Sequence, residues 1–309
     1  MTVPRYALLM EGVTDAATHA EQVMGFDFND PDVRVIEEGS QSRVILIKRN
    51  GVRFAIKQIG VFEPDSLIDR AYHECRMQNR LNALAREGKC PNFCFLDDYF
   101  KAPNYLVDPP PEKGGAPRYL FLITEYVHHG FMEHAPLDKR EFRSITFQLC
   151  YALYVAQREF HFEHHDLHPR NIRLAPLPPG ITYMVYADDD EHIWYLPGRF
   201  KVKICDFGNA QMDHPAYEAM KDLDDITIRD DALMKTLKPT ASIDIAFNKQ
   251  CNAFTRAVRK IGTTMEGLLH GADLFAALRE KPSDFDATRA EFYASNGNVN
   301  ALRKRVSSK

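Results

Sequence analysis

The hydrophobic period of this chain changes partway along it, and that change limits the folds open to it. Up to residue 125 the apolar residues fall mostly in short runs with strand character, whereas beyond residue 138 helical spacing predominates. Strands grouped in one half and helices in the other argue for an α+β fold with segregated layers, not for alternating βαβ units. Residues 33–36, 43–48 and 53–59 read as three strands, with Asn50-Gly51 marking a hairpin between the last two. Residues 65–86 have helical spacing, with Leu67, Ala71, Cys75 and Gln78 along one side. Residues 93–100 and 119–125 return to strand, and Asp108-Pro109-Pro110-Pro111 between them cannot continue a central strand. Asp138 is placed to cap a helix running to about residue 160, in which Phe142, Ile145, Leu149, Ala152, Leu153 and Ala156 share one face. Residues 183–187 and 193–195 read as a hairpin ahead of the strand that ends at Cys205. The acids at its tip, Asp188-Asp189-Asp190-Glu191, read as a solvated turn in preference to a calcium site. Helical patterns resume beyond Asp244. The chain divides on this reading into an extension (1–32), a sheet-rich region (33–127) and a helix-rich region (128–309).

Composition narrows the chemistry by exclusion. A net charge of -4 gives no bulk affinity for nucleic acid or an anionic membrane. No apolar run approaches the roughly 18 to 20 residues of a membrane span, and residues 1–6 lack the form of a secretory signal. The basic stretch Arg303-Lys304-Arg305 near the C-terminus reads as a solvated, frayed tail. Six scattered cysteines do not form a disulfide framework, so an intracellular, reducing compartment is expected, with Cys90 and Cys94 as thiols.

Two segments carry the chemistry. The first is His164-His165-Asp166-Leu167-His168-Pro169-Arg170-Asn171; the second is Val202-Lys203-Ile204-Cys205-Asp206-Phe207-Gly208. In a short loop, the first spacing lets the Asp166 carboxylate face an incoming hydroxyl while the Asn171 amide oxygen turns toward a metal. Asp206, at a strand end, adds a carboxylate, and magnesium favours one or two carboxylates plus phosphate oxygens over an all-protein cage. Phosphoryl transfer asks a protein mainly for positioning and charge neutralisation. Lys57, on the apolar strand Phe54-Ala55-Ile56-Lys57, is a candidate phosphate clamp; taken alone it also reads as a surface lysine. Glu74, in mid-helix, is the chosen partner for it, with Asp69 and Glu87 as competitors. The histidines at 161, 164, 165 and 168 lack the Glu-x-x-His pattern of a helical metal site.

In this order the segments resemble the protein-kinase superfamily across about residues 33–260. The stretch Glu37-Glu38-Gly39-Ser40-Gln41-Ser42-Arg43-Val44 resembles the family's glycine-rich loop with only its middle glycine kept. Leu122-Ile123-Thr124-Glu125-Tyr126-Val127 resembles the strand and hinge that meet adenine. The resemblance implies a bilobal fold, a small antiparallel β-sheet lobe and a mostly helical lobe, using ATP and Mg2+. It implies a nucleotide site formed by Glu37, Gly39, Ser42, Val44, Ala55, Lys57, Thr124, Glu125 and Val127, with Lys57 braced by Glu74. Asp166 would orient and deprotonate the acceptor, Asn171 and Asp206 would hold magnesium, and His168 would stand where a phosphate-binding lysine usually sits. His165 takes the place of the arginine that receives an activation-loop phosphate, so activity is expected without that phosphorylation.

The Asp166-Leu167-His168 form is similar to haspin-type kinases and to phosphotransferases of the aminoglycoside and choline kinase type. The inserted hairpin and the missing Ala-Pro-Glu favour the haspin form, with Ser242-Ile243-Asp244-Ile245 resembling the start of the helix whose aspartate anchors the catalytic loop. The implied acceptor is a serine or threonine of a protein. A small-molecule kinase and a binding module that kept the fold without catalysis are the alternatives, and the oligomeric state is left open.

Overall fold

The computed structural model describes residues 15–38, 42–61, 66–106, 118–128, 138–167, 169–189, 191–212, 269, 273–285 and 290–308. The fold is α+β, and the chain divides into two compact units, Met1–Asn79 with Cys94–Tyr126 and Arg80–Phe93 with Val127–Lys309.

The first unit is built on β1 (Arg34–Glu38), β2 (Ser42–Arg49), β3 (Val52–Val61), β4 (Leu96–Ala102) and β5 (Arg118–Glu125). They form one antiparallel sheet in the order β1-β2-β3-β5-β4. Asn50 and Gly51 both have positive φ, 53° and 77°, and join Arg49 to its partner Val52. Such a two-residue turn matches the twist of the strands it connects. Strand β5 shows the two-residue period plainly. Tyr119, Phe121 and Ile123 enter one core with Ile45, Ile47, Ile56 and Phe100, while Leu120 and Leu122 enter another with Cys75 and Leu96.

Both faces are therefore covered. The first is closed by Ala16, Ala20 and Phe26, so the segment ahead of β1 is a packed layer of this unit. Within it, α1 (Ala16–Thr18) runs into a π-helical turn, His19–Val23. The Asp15 carboxylate accepts from Thr18 N at 2.7 Å and caps α1, while Asn104 Nδ2 donates to it at 2.6 Å. The other face receives α2 (Ser66–Arg86), with Cys75 and Tyr72 against Leu120 and Leu122.

The second unit is organised around α3 (Lys139–Phe160). Asp138 and Glu141 form a capping box at its start, and His161 at φ 47° ends it in the left-handed region. One apolar face was expected; instead Ser144–Gln157 is buried nearly all round, Thr146 and Gln148 included. Strands β6 (Ile172–Pro176) and β9 (Phe200–Ile204) pair antiparallel. The expected hairpin is β7 (Tyr183–Ala187) and β8 (Ile193–Pro197), and β10 (Ala290–Ala294) joins it in parallel with β7.

Three expectations are corrected here. The basic C-terminal stretch is a helix, α4 (Val299–Ser308), with Leu302 and Val306 buried against Tyr183, Val185 and Phe292. Burying those two side chains outweighs the solubility of Arg303 and Lys304. The acidic tip is not simply solvated: Asp188 accepts from Tyr154 Oη at 2.8 Å, Arg158 Nη1 at 2.8 Å and Ser295 Oγ at 2.6 Å. Cys94 is disulfide-bonded and not a thiol, as is Cys205. Cys75, Cys90 and Cys150 are free, and burial pushes each thiol up to about 12, which makes them inert. The helical patterns expected between Asp244 and residue 268 lie outside the described residues. No helix among the described residues is long and apolar enough to cross a membrane.

Candidate active site

In the first unit the register of the sheet gathers the nucleotide candidates into rows. Lys57 pairs with Val44 on β2 and with Leu122 on β5, and Val44 pairs in turn with Glu37 on β1. Ala55 lies two residues from Lys57 on the same strand face and pairs with Thr124, whose Oγ1 donates to the Ala55 carbonyl at 3.2 Å. Ser42, at the start of β2, pairs with Ile59. Val44, Ala55 and Lys57 are half-buried and Glu37 is exposed.

A lysine on a strand beside a helix has several carboxylates within reach of its stem. Glu74 on α2 is one that it meets. Lys57 Nζ lies 2.8 Å from Oε1 and 3.0 Å from Oε2, and the Glu74 side chain is 7% exposed. A carboxylate so buried needs its counter-charge, so each member holds the other in place. Glu87, the competitor in sequence, pairs with Lys89, and the side chain of Asp69 lies outside the described residues. Glu125 is tied to Phe95 by its own N–H at 3.0 Å and by its Oε1, which accepts the Phe95 N–H at 2.8 Å. That exchange fixes the end of β5.

In the second unit Asp166, Asn171 and Asp206 come together through the β6–β9 pair. Ile172 stands opposite Ile204, and the Cys205 N–H donates to the Asn171 carbonyl at 2.8 Å. Asp206 therefore leaves the strand pair beside Asn171, at φ 67°. The Asn171 amide nitrogen donates to the Asp166 carbonyl at 2.8 Å. With that pole of the amide committed, its oxygen is the pole left to serve as a ligand. An amide oxygen and a carboxylate are hard donors suited to magnesium. Among the described residues no group of three or more His, Cys, Asp and Glu could hold a metal by itself.

The turn bearing Asp166 is braced from beneath by His164, which is fully buried. Its Nε2 stands 3.2 Å from the Cys205 carbonyl, and its Nδ1 accepts the Asp166 N–H at 3.3 Å. Nε2 is then the protonated nitrogen, since a carbonyl can only accept. Its ring and the buried Phe207 ring lie 5.6 Å apart, and Phe207 also packs near Phe93 and Phe162. His165 follows at φ 59°, a conformation that costs energy in a residue with a Cβ. Its Nε2 lies 2.6 Å from Oε2 of the buried Glu163. Glu163 and Gln211 exchange backbone hydrogen bonds at 2.9 and 2.7 Å, which fastens the loop to the segment after Gly208.

Asp166 is half-buried, Asn171 buried and Asp206 exposed. Val127 is buried, while Gly39 and His168 lie outside the described residues. Sequence reasoning missed Glu163 and the bracing task of His164. Their signal is weak, because the lead-in to Asp166 is mostly polar and a histidine-rich run hides which ring turns inward.

No family model matches the chain. Over 111 residues, 33% of the chain, it is 34% identical to a probable serine/threonine-protein kinase of Dictyostelium discoideum. The match spans 9% of that protein's length. The similarity supports a kinase-like relationship.

Proposed function

We propose that the chain is an ATP- and magnesium-dependent phosphotransferase of haspin-like form, acting on serine or threonine hydroxyls of proteins. The observation that carries this reading is the braced turn in which Asn171 holds the Asp166 carbonyl while its own carbonyl holds the Cys205 N–H beside Asp206. One carboxylate is thereby presented for a proton and two oxygen donors for a metal. The hairpin β7–β8, placed between Asn171 and Asp206, supports the haspin-like form, and the similarity to a probable kinase supports the reaction class.

The roles follow from charge. The Asp166 carboxylate accepts the proton of the attacking hydroxyl and orients its oxygen. Lys57, held by Glu74, donates to phosphate oxygens and offsets their charge. Asn171 and Asp206 would hold magnesium, which when bound neutralises the phosphate oxygens. Asp166 is not a ligand in this scheme and stays available as base.

The test is transfer of labelled phosphate from ATP to generic protein substrates and to a metabolite panel, by the native chain, Asp166→Asn and Lys57→Met. Transfer to protein that both variants abolish supports the reading. Transfer to metabolites alone replaces the acceptor class, and labelling that persists in both variants removes the enzymatic assignment.

A further inference from the structure

We infer that Asn92 and Gln148 are positioning residues for Asp206; the inference rests on the magnesium role just proposed and extends it to side chains far from the loop. Strand β9 ends two residues before Asp206 and pairs with β6 along one edge; along the other, among the described residues, it meets no strand and makes an isolated parallel bridge between Ile204 and Phe93. Its other edge turns the polar groups of Phe200, Val202 and Ile204 into the interior. Buried backbone groups must find partners, and here two side-chain amides take the place of a neighbouring strand.

Gln148, on α3, accepts the Val202 N–H at 2.8 Å through Oε1 and donates to the Phe200 carbonyl at 3.2 Å through Nε2. Asn92 donates through Nδ2 to the Val202 carbonyl at 3.0 Å and to Gln148 Oε1 at 3.1 Å. The Asn92 backbone carbonyl accepts the Ile204 N–H at 2.7 Å, and Tyr186 Oη donates to Asn92 Oδ1 at 3.1 Å. Both amides are fully buried.

A strand at this edge could slip by two residues and still present the same faces. The amide pair meets three backbone groups of β9, the Val202 N–H and the carbonyls of Val202 and Phe200, and any shift smaller than that two-residue step breaks all three bonds. The arrangement therefore fixes the position of β9 along its own axis within that step. That position decides where Asp206 emerges relative to Asn171, which the Cys205 N–H ties to the same strand end. Buried amides in the middle of an apolar helix and of an apolar loop have this register as their physical reason.

The test compares the native chain with Gln148→Met, which keeps the length of the side chain, and with Tyr186→Phe, which removes only the hydroxyl that orients Asn92. ATP binding is measured by calorimetry without magnesium and across a magnesium titration. Amide hydrogen exchange at Val202 and Ile204 is followed alongside. Gln148→Met is expected to raise the magnesium concentration for half-saturation about tenfold or more, the usual effect of removing a partner that orients a metal ligand. Metal-free ATP binding stays unchanged, and the Val202 amide exchanges faster. Tyr186→Phe gives a smaller shift of the same sign, and it carries the test should Gln148→Met fail to fold. A folded variant with an unchanged magnesium requirement overturns the inference, as does an equal loss of metal-free and metal-dependent binding. Absence of any magnesium effect in the native chain overturns the functional reading itself, and the inference with it.

Discussion

Glu74→Gln is expected to lower kcat/KM for ATP about five- to tenfold. Lys57 Nζ makes two short contacts with the carboxylate, 2.8 and 3.0 Å, in a place where Glu74 is 7% and Lys57 22% exposed. A hydrogen bond to a charged group contributes about 1.5–3 kcal/mol and a neutral one about 0.5–1.5. Glutamine keeps the shape and one acceptor, so the expected loss is about 1–1.5 kcal/mol, toward the lower end because Lys57 is partly solvated. Glu74→Ala removes this buried carboxylate altogether, a loss of about 3 kcal/mol or a hundredfold. Initial rates across an ATP series, with thermal melts of each variant, separate this from unfolding. Native kcat/KM in a folded Glu74→Gln, with Lys57→Met inactive, would refute the view that the pair sets the clamp. So would a loss matched entirely by the unfolded fraction.

Three further outcomes are expected. Leu302→Ala, which empties a fully packed site under α4, should cost about 2–5 kcal/mol and lower the thermal midpoint, whereas Arg303→Ala on the exposed side should cost far less. Burial alone would raise the Asp188 pKa, but hydrogen bonds from Ser295, Tyr154 and Arg158 outweigh it and hold the carboxyl below its ordinary value. Its stabilising share is therefore present above the unfolded value near 4 and lost as pH falls through the folded one, so thermal midpoints measured from pH 6 to 2 should fall less steeply in Asp188→Asn. Because His165 meets Glu163 within the chain, phosphatase treatment should leave the transfer rate unchanged, and a lost rate would count against the expected independence from activation-loop phosphate.

Where a signal is local, the sequence carries it. The two-residue period of 119–123, the Asn50-Gly51 turn and the Asp138–Glu141 cap each act over a few residues, and each is found where its chemistry puts it. The misses are non-local. Strand β10 pairs in parallel with β7 across about a hundred residues of chain, and nothing in Ala290–Ala294 names that partner. Helix α4 offers two buried apolar residues among charges, too few for a period until β10 supplies the surface beneath. Within the site, the spacing in sequence anticipated that Asp166, Asn171 and Asp206 come together. The inward turn of His164 and the amide ladder of Asn92 and Gln148 were not anticipated, because their partners are backbone groups, which leave no mark in a sequence.

The most direct measurement is the thermal midpoint of the chain titrated with ATP, with and without magnesium, for the native protein and for Asp206→Asn. A ligand that binds only the folded state must raise the midpoint. The native chain should gain stability from ATP that magnesium increases, and Asp206→Asn should lose the magnesium-dependent part while remaining folded. No stabilisation by ATP under either condition, or an identical magnesium effect in both proteins, would contradict the assignment of Asp206 and with it the phosphotransferase reading.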